Sequence, residues 1–179
     1  MIQAEKGKQG EMLCANILAS GGWLCFFPEN KFASQADIKA VHCVSDEVKR
    51  IEVKTQTPYA FKEMLSYPWT PAQIKKIDKV DEIWFVCTSD NNIRSNIKQK
   101  LAKWEGNVYK VTSQEMKDYI KRNERNSSIY KFDEKTGLLW FNYPINRMEF
   151  VGKVDTTSLR NDGTTAYTSY DSKKGQMKL

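Results

Sequence analysis

Strand-like and helix-like patterns alternate along residues 23–125, and this alternation constrains the fold more than any other feature of the sequence. The run Glu82–Thr88 is short and strongly apolar, as in a buried strand, whereas Ile93–Trp104 has a helical pattern with a basic face. Strands that alternate with helices pack in layers, with the helices on the faces of a sheet. The sequence therefore predicts an α/β sandwich.

The predicted elements follow from periodicity and from local start and stop signals. A Thr-x-x-Glu capping box at Thr112 begins one helix, and Thr70 followed by Pro71 begins another. The aromatic-rich stretch Tyr59–Trp69 is expected to be a connection. The predicted strands are Trp23–Phe27, which we expect to be buried, Asp37–Val44, Lys49–Thr55, Glu82–Thr88 and Asn107–Val111, and the predicted helices are 5–20, Thr70–Val80, Ile93–Trp104 and 112–125.

The second and third predicted strands form a β-hairpin with its turn at 45–47. Glu52 and Lys54 project from one face of the hairpin, because side chains alternate along a strand. A loop with an even number of residues places Asp37 opposite Lys54 or Gln56, on that same face. An odd loop places it on the other face unless a bulge restores the register.

Two carboxylates and a lysine in this arrangement have a defined chemistry. Mg²⁺ takes one or two protein carboxylates and completes its shell with water and phosphate oxygens. Asp37 and Glu52 suit such an ion, with Mn²⁺ as a substitute, and Lys54 beside them would orient a water molecule or stabilise negative charge on a phosphate. The three residues indicate in-line hydrolysis of a phosphodiester.

Glu11 and Gln56 are further candidates for the same site. On the predicted N-terminal helix, Glu11 lines up with Cys14 and Leu18 in an apolar stripe. A carboxylate in such a stripe needs a partner or a metal. Gln56 lies two residues after Lys54 on the same strand face, where its amide would reach a phosphate or the attacking water.

A glutamate on the first helix, an aspartate at the start of a strand and Glu-x-Lys on the next strand together form a recognisable pattern. In this respect residues 5–90 resemble the PD-(D/E)XK nuclease superfamily, with Ala36 where the motif has proline. The stretch from Lys8-Gln9-Gly10-Glu11 to Glu52-Val53-Lys54 looks most like archaeal-type Holliday-junction resolvases and related restriction and homing endonucleases.

The resemblance implies a restriction-endonuclease-like α/β/α sandwich with a central mixed sheet over residues 1–125. It also implies roles for individual residues: Asp37, Glu52, Glu11 and the backbone carbonyl of Val53 would hold the metal, and Lys54 would be the catalytic lysine.

Positive charge is concentrated in one predicted helical stretch. Residues 91–125 contain nine Lys and Arg but only four Asp and Glu, so they account for most of the net charge of +6. This concentration favours a polyanion partner, although a solvated helix surface explains the charge alone equally well. The residues predicted to contact DNA phosphates are Lys98, Lys100, Lys103, Lys121, Arg122 and Arg125.

Several features favour a cytoplasmic location and no membrane partner. No stretch approaches the ~20 apolar residues that a bilayer span requires, and no apolar run follows the charges at the N-terminus. The four cysteines lie far apart among apolar neighbours, which favours reduced, buried thiols over disulfides or a zinc site.

The sequence after Asn126 changes in character. Ile129–Phe132 and Leu138–Tyr143 predict a second β-hairpin, which forms an extension over residues 126–152. Residues 153–179 contain few aliphatic side chains, so we expect a flexible or weakly ordered tail.

The sequence thus predicts a Mg²⁺-dependent DNA endonuclease that works as a homodimer or higher oligomer, because one such site cuts one strand. Two alternatives remain open: a non-catalytic nucleic-acid-binding protein of the same fold, and an RNA-processing nuclease. Branched, duplex and single-stranded substrates are not distinguished. His42, the only histidine, is expected to be a packed strand residue, which argues against histidine-dependent mechanisms.

Overall fold

The computed structural model describes residues 3–29, 35–70, 75–127 and 129–160. In these ranges the helices are α1 (Gln3–Ser20), α2 (Ser95–Ala102) and α3 (Ser113–Asn123), with short 3-10 turns at Ile77–Lys79, Ile145–Arg147 and Thr157–Leu159. The strands are β1 (Trp23–Phe26), β2 (Ile38–His42), β3 (Val48–Gln56), β4 (Met64–Trp69), β5 (Glu82–Cys87), β6 (Asn107–Thr112), β7 (Tyr130–Asp133), β8 (Leu138–Pro144) and β9 (Glu149–Lys153). None of the described helices combines the length and apolar content needed to cross a bilayer.

The strands form a large mixed sheet and a small antiparallel sheet. The large sheet has six strands in the order β1-β2-β3-β5-β6-β9, and its single parallel pair is β3 with β5. The small sheet has the order β4-β8-β7. The predicted α/β architecture with a mixed central sheet is therefore confirmed.

Two apolar cores lie on opposite faces of the large sheet. On one face, Cys14 and Leu18 of α1 pack against Ile51 and Val53 of β3. On the other face, the alternate residues of β5, including Phe85, pack against side chains of α2, α3 and the small sheet. Ile51 and Val53 of β3 thus face α1, and the alternation along the strand directs Glu52 and Lys54 to the opposite face.

The predicted start of the large sheet is correct in position but wrong in burial. Two glycines end α1: Gly21 donates its N–H to the Leu18 carbonyl at 3.0 Å, and Gly22 has a φ of +87°. β1 was predicted to be buried. Instead only alternate residues turn inward, and Leu24 and Phe26 are 56% and 54% exposed because β1 is an edge strand.

The hairpin of β2 and β3 has an even loop, the alternative that puts Asp37 on the face of Glu52 and Lys54, but its register differs from the expected one. Ile38 pairs with Ile51, and the four residues 43–46 form the loop, with Asp46 in the left-handed conformation at a φ of 59°. The turn thus lies earlier than the predicted 45–47. Continued by one residue, this register brings Asp37 opposite Glu52 rather than opposite Lys54 or Gln56.

Two strands were not predicted, and both make long-range pairs. The connection expected at Tyr59–Trp69 contains β4, which pairs with β8 of the second hairpin. β9 pairs with β6 as the edge of the large sheet. The region after Asn126 is therefore built into both sheets, although it was predicted to be an extension.

The structure also bears on the predictions for the tail, the cysteines and His42. The tail predicted from residue 153 is wrong for its first part, since Thr156 and Leu159 are buried, and residues 161–179 lie outside the described ranges. All four cysteines are free, but Cys43 is exposed in the hairpin loop rather than buried. His42 packs edge-on against Trp23 with 5.0 Å between ring centroids, as expected for a packed strand residue.

Candidate active site

Asp37, Glu52 and Lys54 come together on the face of β3 that turns away from α1. Each is buried: 8%, 4% and 6% of the three residues, respectively, is exposed. The hairpin register brings Asp37 beside Glu52, and the alternation along β3 puts Lys54 next to Glu52 on the same face. Lys54 Nζ lies 2.7 Å from Glu52 Oε1.

Each carboxylate has one oxygen held by its own hairpin and one oxygen directed at a common point. Asp37 Oδ2 accepts a hydrogen bond from the Val53 N–H at 2.8 Å, and Glu52 Oε1 contacts Lys54. Asp37 Oδ1 and Glu52 Oε2 lie 3.5 Å and 2.5 Å from the same atom, Lys76 Nζ. Two carboxylate oxygens therefore converge on one cationic position.

Lys76 was missed by the sequence analysis. It precedes the 3-10 turn Ile77–Lys79 and is 7% exposed, whereas its neighbour Lys75 is exposed. The pair Lys75-Lys76 reads in the sequence as a solvated helix surface, and only the helix phase decides which lysine turns inward. The start of that predicted helix lies in residues 71–74, outside the described ranges.

The buried position dominates the electrostatics of Glu52. Burial raises the pKa of its carboxyl above the usual glutamate range, and the nearby Asp37 charge adds to this effect. Lys54 and Lys76 act in the opposite direction and lower that pKa, without cancelling the effect of burial. Two carboxylates and two lysines nevertheless balance in formal charge, which is how a dry site can hold them.

Within the described part of the chain, three buried polar side-chain atoms of β3 make no hydrogen bond: Glu52 Oε2, the Thr55 hydroxyl oxygen and the Gln56 amide nitrogen. Glu52 Oε2 is close enough to Lys76 for an ion pair but makes no hydrogen bond of good geometry. The Gln56 amide nitrogen is buried and has no partner. Gln56 projects from the same face of β3 as Lys54, as predicted, so its amide donor lies on the strand face that carries Glu52 and Lys54.

Helix α1 covers the opposite face of β3 at very short range. A Cβ placed on Gly10 would lie 1.9 Å from the Thr55 hydroxyl oxygen, so only glycine allows this approach. The predicted stripe is confirmed: Glu11 is 5% exposed and lies beside Cys14 and Leu18. Lys6, one turn before Gly10, is also buried and was not predicted.

Glu11 lies on α1, which packs against the face of β3 opposite to Glu52 and Lys54. The pKa of the Cys14 thiol is raised, chiefly by burial and further by the charges of Glu11 and Asp37. The thiol therefore lies within electrostatic reach of both carboxylates. Glu11 and Asp37 thus both act on the Cys14 thiol, although they belong to different elements.

All six predicted phosphate-contacting residues are exposed, and they fall into two groups. Lys98, Lys100 and Lys103 belong to α2 and its C-terminus, and the other three belong to the end of α3 and the residues after it. Two of the six are ion-paired: Lys103 Nζ lies 2.5 Å from Glu63, and Arg122 lies 3.5 Å from Glu115.

The two carboxylates of the site can hold one hard cation if phosphate oxygens and water complete its coordination shell. In the described residues no group of three or more His, Cys, Asp and Glu side chains is arranged around a metal position. Mg²⁺ needs only one or two protein carboxylates where phosphate oxygens and water supply the rest. Asp37 and Glu52 meet that requirement, because both already direct an oxygen at the Lys76 ammonium.

Comparison with protein-family models and with curated proteins finds no match to this chain.

Proposed function

We propose that this protein is a metal-dependent endonuclease that hydrolyses phosphodiester bonds of DNA. The observation that carries the proposal is the convergence of Asp37 Oδ1 and Glu52 Oε2 on one cationic position, with Lys54 2.7 Å from the other Glu52 oxygen. Buried, oriented carboxylates next to a buried lysine are costly to maintain, and such groups concentrate at functional sites.

Each residue of the site has its own role in the proposed reaction. Asp37 and Glu52 would hold Mg²⁺ or Mn²⁺, which when bound supplies Lewis-acid activation of the phosphate and of a water molecule. The Val53 N–H fixes the Asp37 carboxylate so that its free oxygen turns inward. Lys54 stabilises negative charge on the phosphate, and the unpaired Gln56 amide donates to a phosphate oxygen.

The number of DNA strands that are cut depends on the number of sites in the assembly. One site cuts one strand, so cleavage of both strands requires two copies, and we infer a homo-oligomer that acts on branched DNA or on specific duplex sites. Sedimentation of the purified protein measures the mass of the assembly. A monomer that nicks only one strand would contradict this part and leave the site assignment intact.

Substitution of the two carboxylates by their amides tests the activity. Asp37→Asn and Glu52→Gln should each lower cleavage of a labelled panel (four-way junction, flap, duplex, single strand, and an RNA strand) with Mg²⁺ and with Mn²⁺ by at least about 100-fold, because even an outer-shell partner of a metal is worth 10- to 100-fold. The activity is measured as initial rates on a denaturing gel.

Glu82→Gln is a matched control for this test. Glu82 is another buried carboxylate held between two lysines, Lys49 at 3.5 Å and Lys110 at 3.2 Å, but it lies at the start of β5. Its variant should cleave like the wild type. Equal losses in Glu82→Gln and Glu52→Gln, or undiminished cutting by both amide variants at the site, would refute the assignment.

A second candidate function has one observation in its favour. Lys54 and Lys76 together already balance the two carboxylates, so the site is electrically satisfied without a metal, as in a non-catalytic nucleic-acid-binding protein. Calorimetric titration with Mn²⁺ separates the two. Saturable heat that is lost in Glu52→Gln supports the nuclease, whereas no heat together with tight DNA binding supports the binding protein.

A further inference from the structure

A rigid turn follows the site strand and presents one aromatic side chain to solvent. Residues 60–63 form the turn. The flanking residues Tyr59 and Met64 are joined by two backbone hydrogen bonds of 2.7 Å and 3.3 Å. Ala60 is buried at one end of the turn. At the other end, Glu63 has a φ of 54° and accepts a hydrogen bond from the Ile145 N–H at 3.0 Å.

Backbone strain of this kind is informative because glutamate rarely adopts a left-handed conformation. The cost is tolerated only where the surroundings fix the backbone, and such positions concentrate in ligand-binding segments. Here the strain is retained in a turn whose outermost apolar residue, Phe61, is 45% exposed. The turn therefore holds the Phe61 ring at the surface on a backbone that is fixed on both sides.

The surroundings of Phe61 are cationic. The Lys100 ammonium lies 4.9 Å from the ring centroid, and Lys103 reaches the same turn through its ion pair with Glu63. Lys62 is exposed and lies over the Tyr59 ring at 5.9 Å. Among the described residues, Lys62 and Lys100 form no ion pair, so the turn carries net positive charge around an exposed ring.

An exposed aromatic ring surrounded by lysines favours a nucleic-acid partner over an apolar protein partner. An apolar protein partner would have to desolvate the lysines, whereas a nucleotide offers an aromatic face for the ring and a phosphate for the cations. In an intact duplex the base faces are covered by their neighbours. Only an unpaired base presents a free face for stacking.

The turn is also close to the candidate site along the chain. β3 carries Lys54 and Gln56 and leads through two residues to Tyr59, so Phe61 is only the seventh residue after Lys54. Seven residues span at most about 25 Å. That distance corresponds to about seven base-pair steps of 3.4 Å, so a nucleic acid bound at the site can reach the turn.

We propose that Phe61, with Lys62 and Lys100, forms a stacking site for an unpaired base of the nucleic acid that the protein binds. This inference rests on the proposed function in that it specifies the substrate: DNA with an unpaired segment within a few nucleotides of the bond that is cut. Lys103 is expected to contribute less, because Glu63 already neutralises it.

The test measures binding without cleavage, in EDTA. A fluorescein-labelled oligothymidine and a blunt duplex of equal length are titrated with the wild type, Phe61→Ala, Phe61→Trp and Phe132→Ala, and the anisotropy gives each Kd. Phe132 is the matched control, because it is 55% exposed on β7 and lies next to Lys131. Both phenylalanines are exposed, so truncation should leave the thermal unfolding midpoint unchanged.

Phe61→Ala should weaken oligothymidine binding by roughly 5- to 150-fold, the range for loss of one base–aromatic stack. Phe61→Trp should retain the affinity, Phe132→Ala should bind like the wild type, and the Kd for the duplex should change less than twofold. An unchanged oligothymidine Kd in Phe61→Ala, an equal loss in Phe132→Ala, or no binding by the wild type overturns the proposal.

The readout separates this inference from the proposed function. Because EDTA removes any metal, the stacking result does not depend on Asp37 or Glu52. Stacking with no Mg²⁺-dependent cleavage would uphold Phe61 and refute the nuclease, and cleavage without a Phe61 effect would do the opposite.

Discussion

At the scale of single residues, the charge balance of the site depends on Lys76. Its ammonium sits where the free oxygens of Asp37 and Glu52 converge, so the protein carries its own cation at the position that a divalent metal would take. A metal that binds there must displace Lys76 or accept its repulsion, because like charges at such distances oppose one another strongly in a buried site.

Lys76→Met should therefore tighten Mn²⁺ binding, by roughly 10- to 1,000-fold, the range over which one neighbouring charge changes the proton affinity of a carboxylate. The same variant should unfold at a lower temperature than the wild type in EDTA, because it leaves two buried carboxylates with one lysine. Mn²⁺ should raise its unfolding temperature again, because the bound ion replaces the missing positive charge. Calorimetry gives the Kd, and thermal unfolding gives the shift.

Lys110→Met is the control for Lys76→Met, because Lys110 pairs with Glu82 rather than with the site. Its Mn²⁺ affinity should equal that of the wild type. If Lys76→Met also leaves the affinity unchanged, the cationic position of Lys76 is not the metal position.

At the scale of elements, the packing of α1 on β3 depends on one glycine. Gly10 faces Thr55, which lies between Lys54 and Gln56, so any displacement of the helix is transmitted to the strand that carries the site. Gly7 lies one turn earlier in the same helix, and nothing lies within 4 Å of a Cβ placed there. Substitutions at the two glycines therefore distinguish the energetic effect of close packing from that of helix propensity.

Gly10→Ala should destabilise the protein by about 1–3 kcal/mol, as expected when a methyl group is forced into a packed contact. Gly7→Ala should stabilise it by about 0.5–1 kcal/mol, because alanine loses less backbone entropy in a helix. Chemical denaturation of both variants measures the free energy of unfolding. Stabilisation by Gly10→Ala would show that α1 does not approach β3 as closely as described.

Elements with local signals could be predicted from the sequence, and those that depend on distant partners could not. The predicted helix start at Thr112 was confirmed, since the Thr112 hydroxyl accepts the Glu115 N–H at 3.1 Å as the N-cap of α3. β4 was missed because it contains Pro68, which disfavours a strand unless the strand lies at an edge, as β4 does. Its partner β8 lies far along the chain, so no local pattern records the pair.

The same reasoning explains what could be predicted of the site. Strand alternation predicted that Glu52, Lys54 and Gln56 share a face, and an even loop was enough to bring Asp37 to it. The register itself depends on a loop that begins at Cys43, for which the sequence has no strong turn signal. The burial of Lys76 depends on tertiary packing and was not predictable.

At the scale of the whole molecule, the positive charge of the chain is exposed on its helices, while the site itself is nearly neutral. The net charge is +6, and the basic residues of α2 and α3 lie on the surface. Long-range attraction of a polyanion would therefore come from these helices rather than from the site. Lys121 and Arg125 are the informative members near α3, because neither forms an ion pair in the described part of the chain, unlike Arg122.

The dependence of duplex DNA binding on salt tests this distribution. The logarithm of the association constant should fall linearly with the logarithm of the salt concentration, with a slope of about −0.9 for each phosphate neutralised. The double variant Lys121→Gln, Arg125→Gln should make that slope less steep by up to about 1.8. Lys131→Gln, Lys135→Gln removes the same charge from the exposed end of the second hairpin and should leave the slope unchanged. If both double variants change the slope equally, the attraction reflects net charge alone and the end of α3 contacts no phosphate.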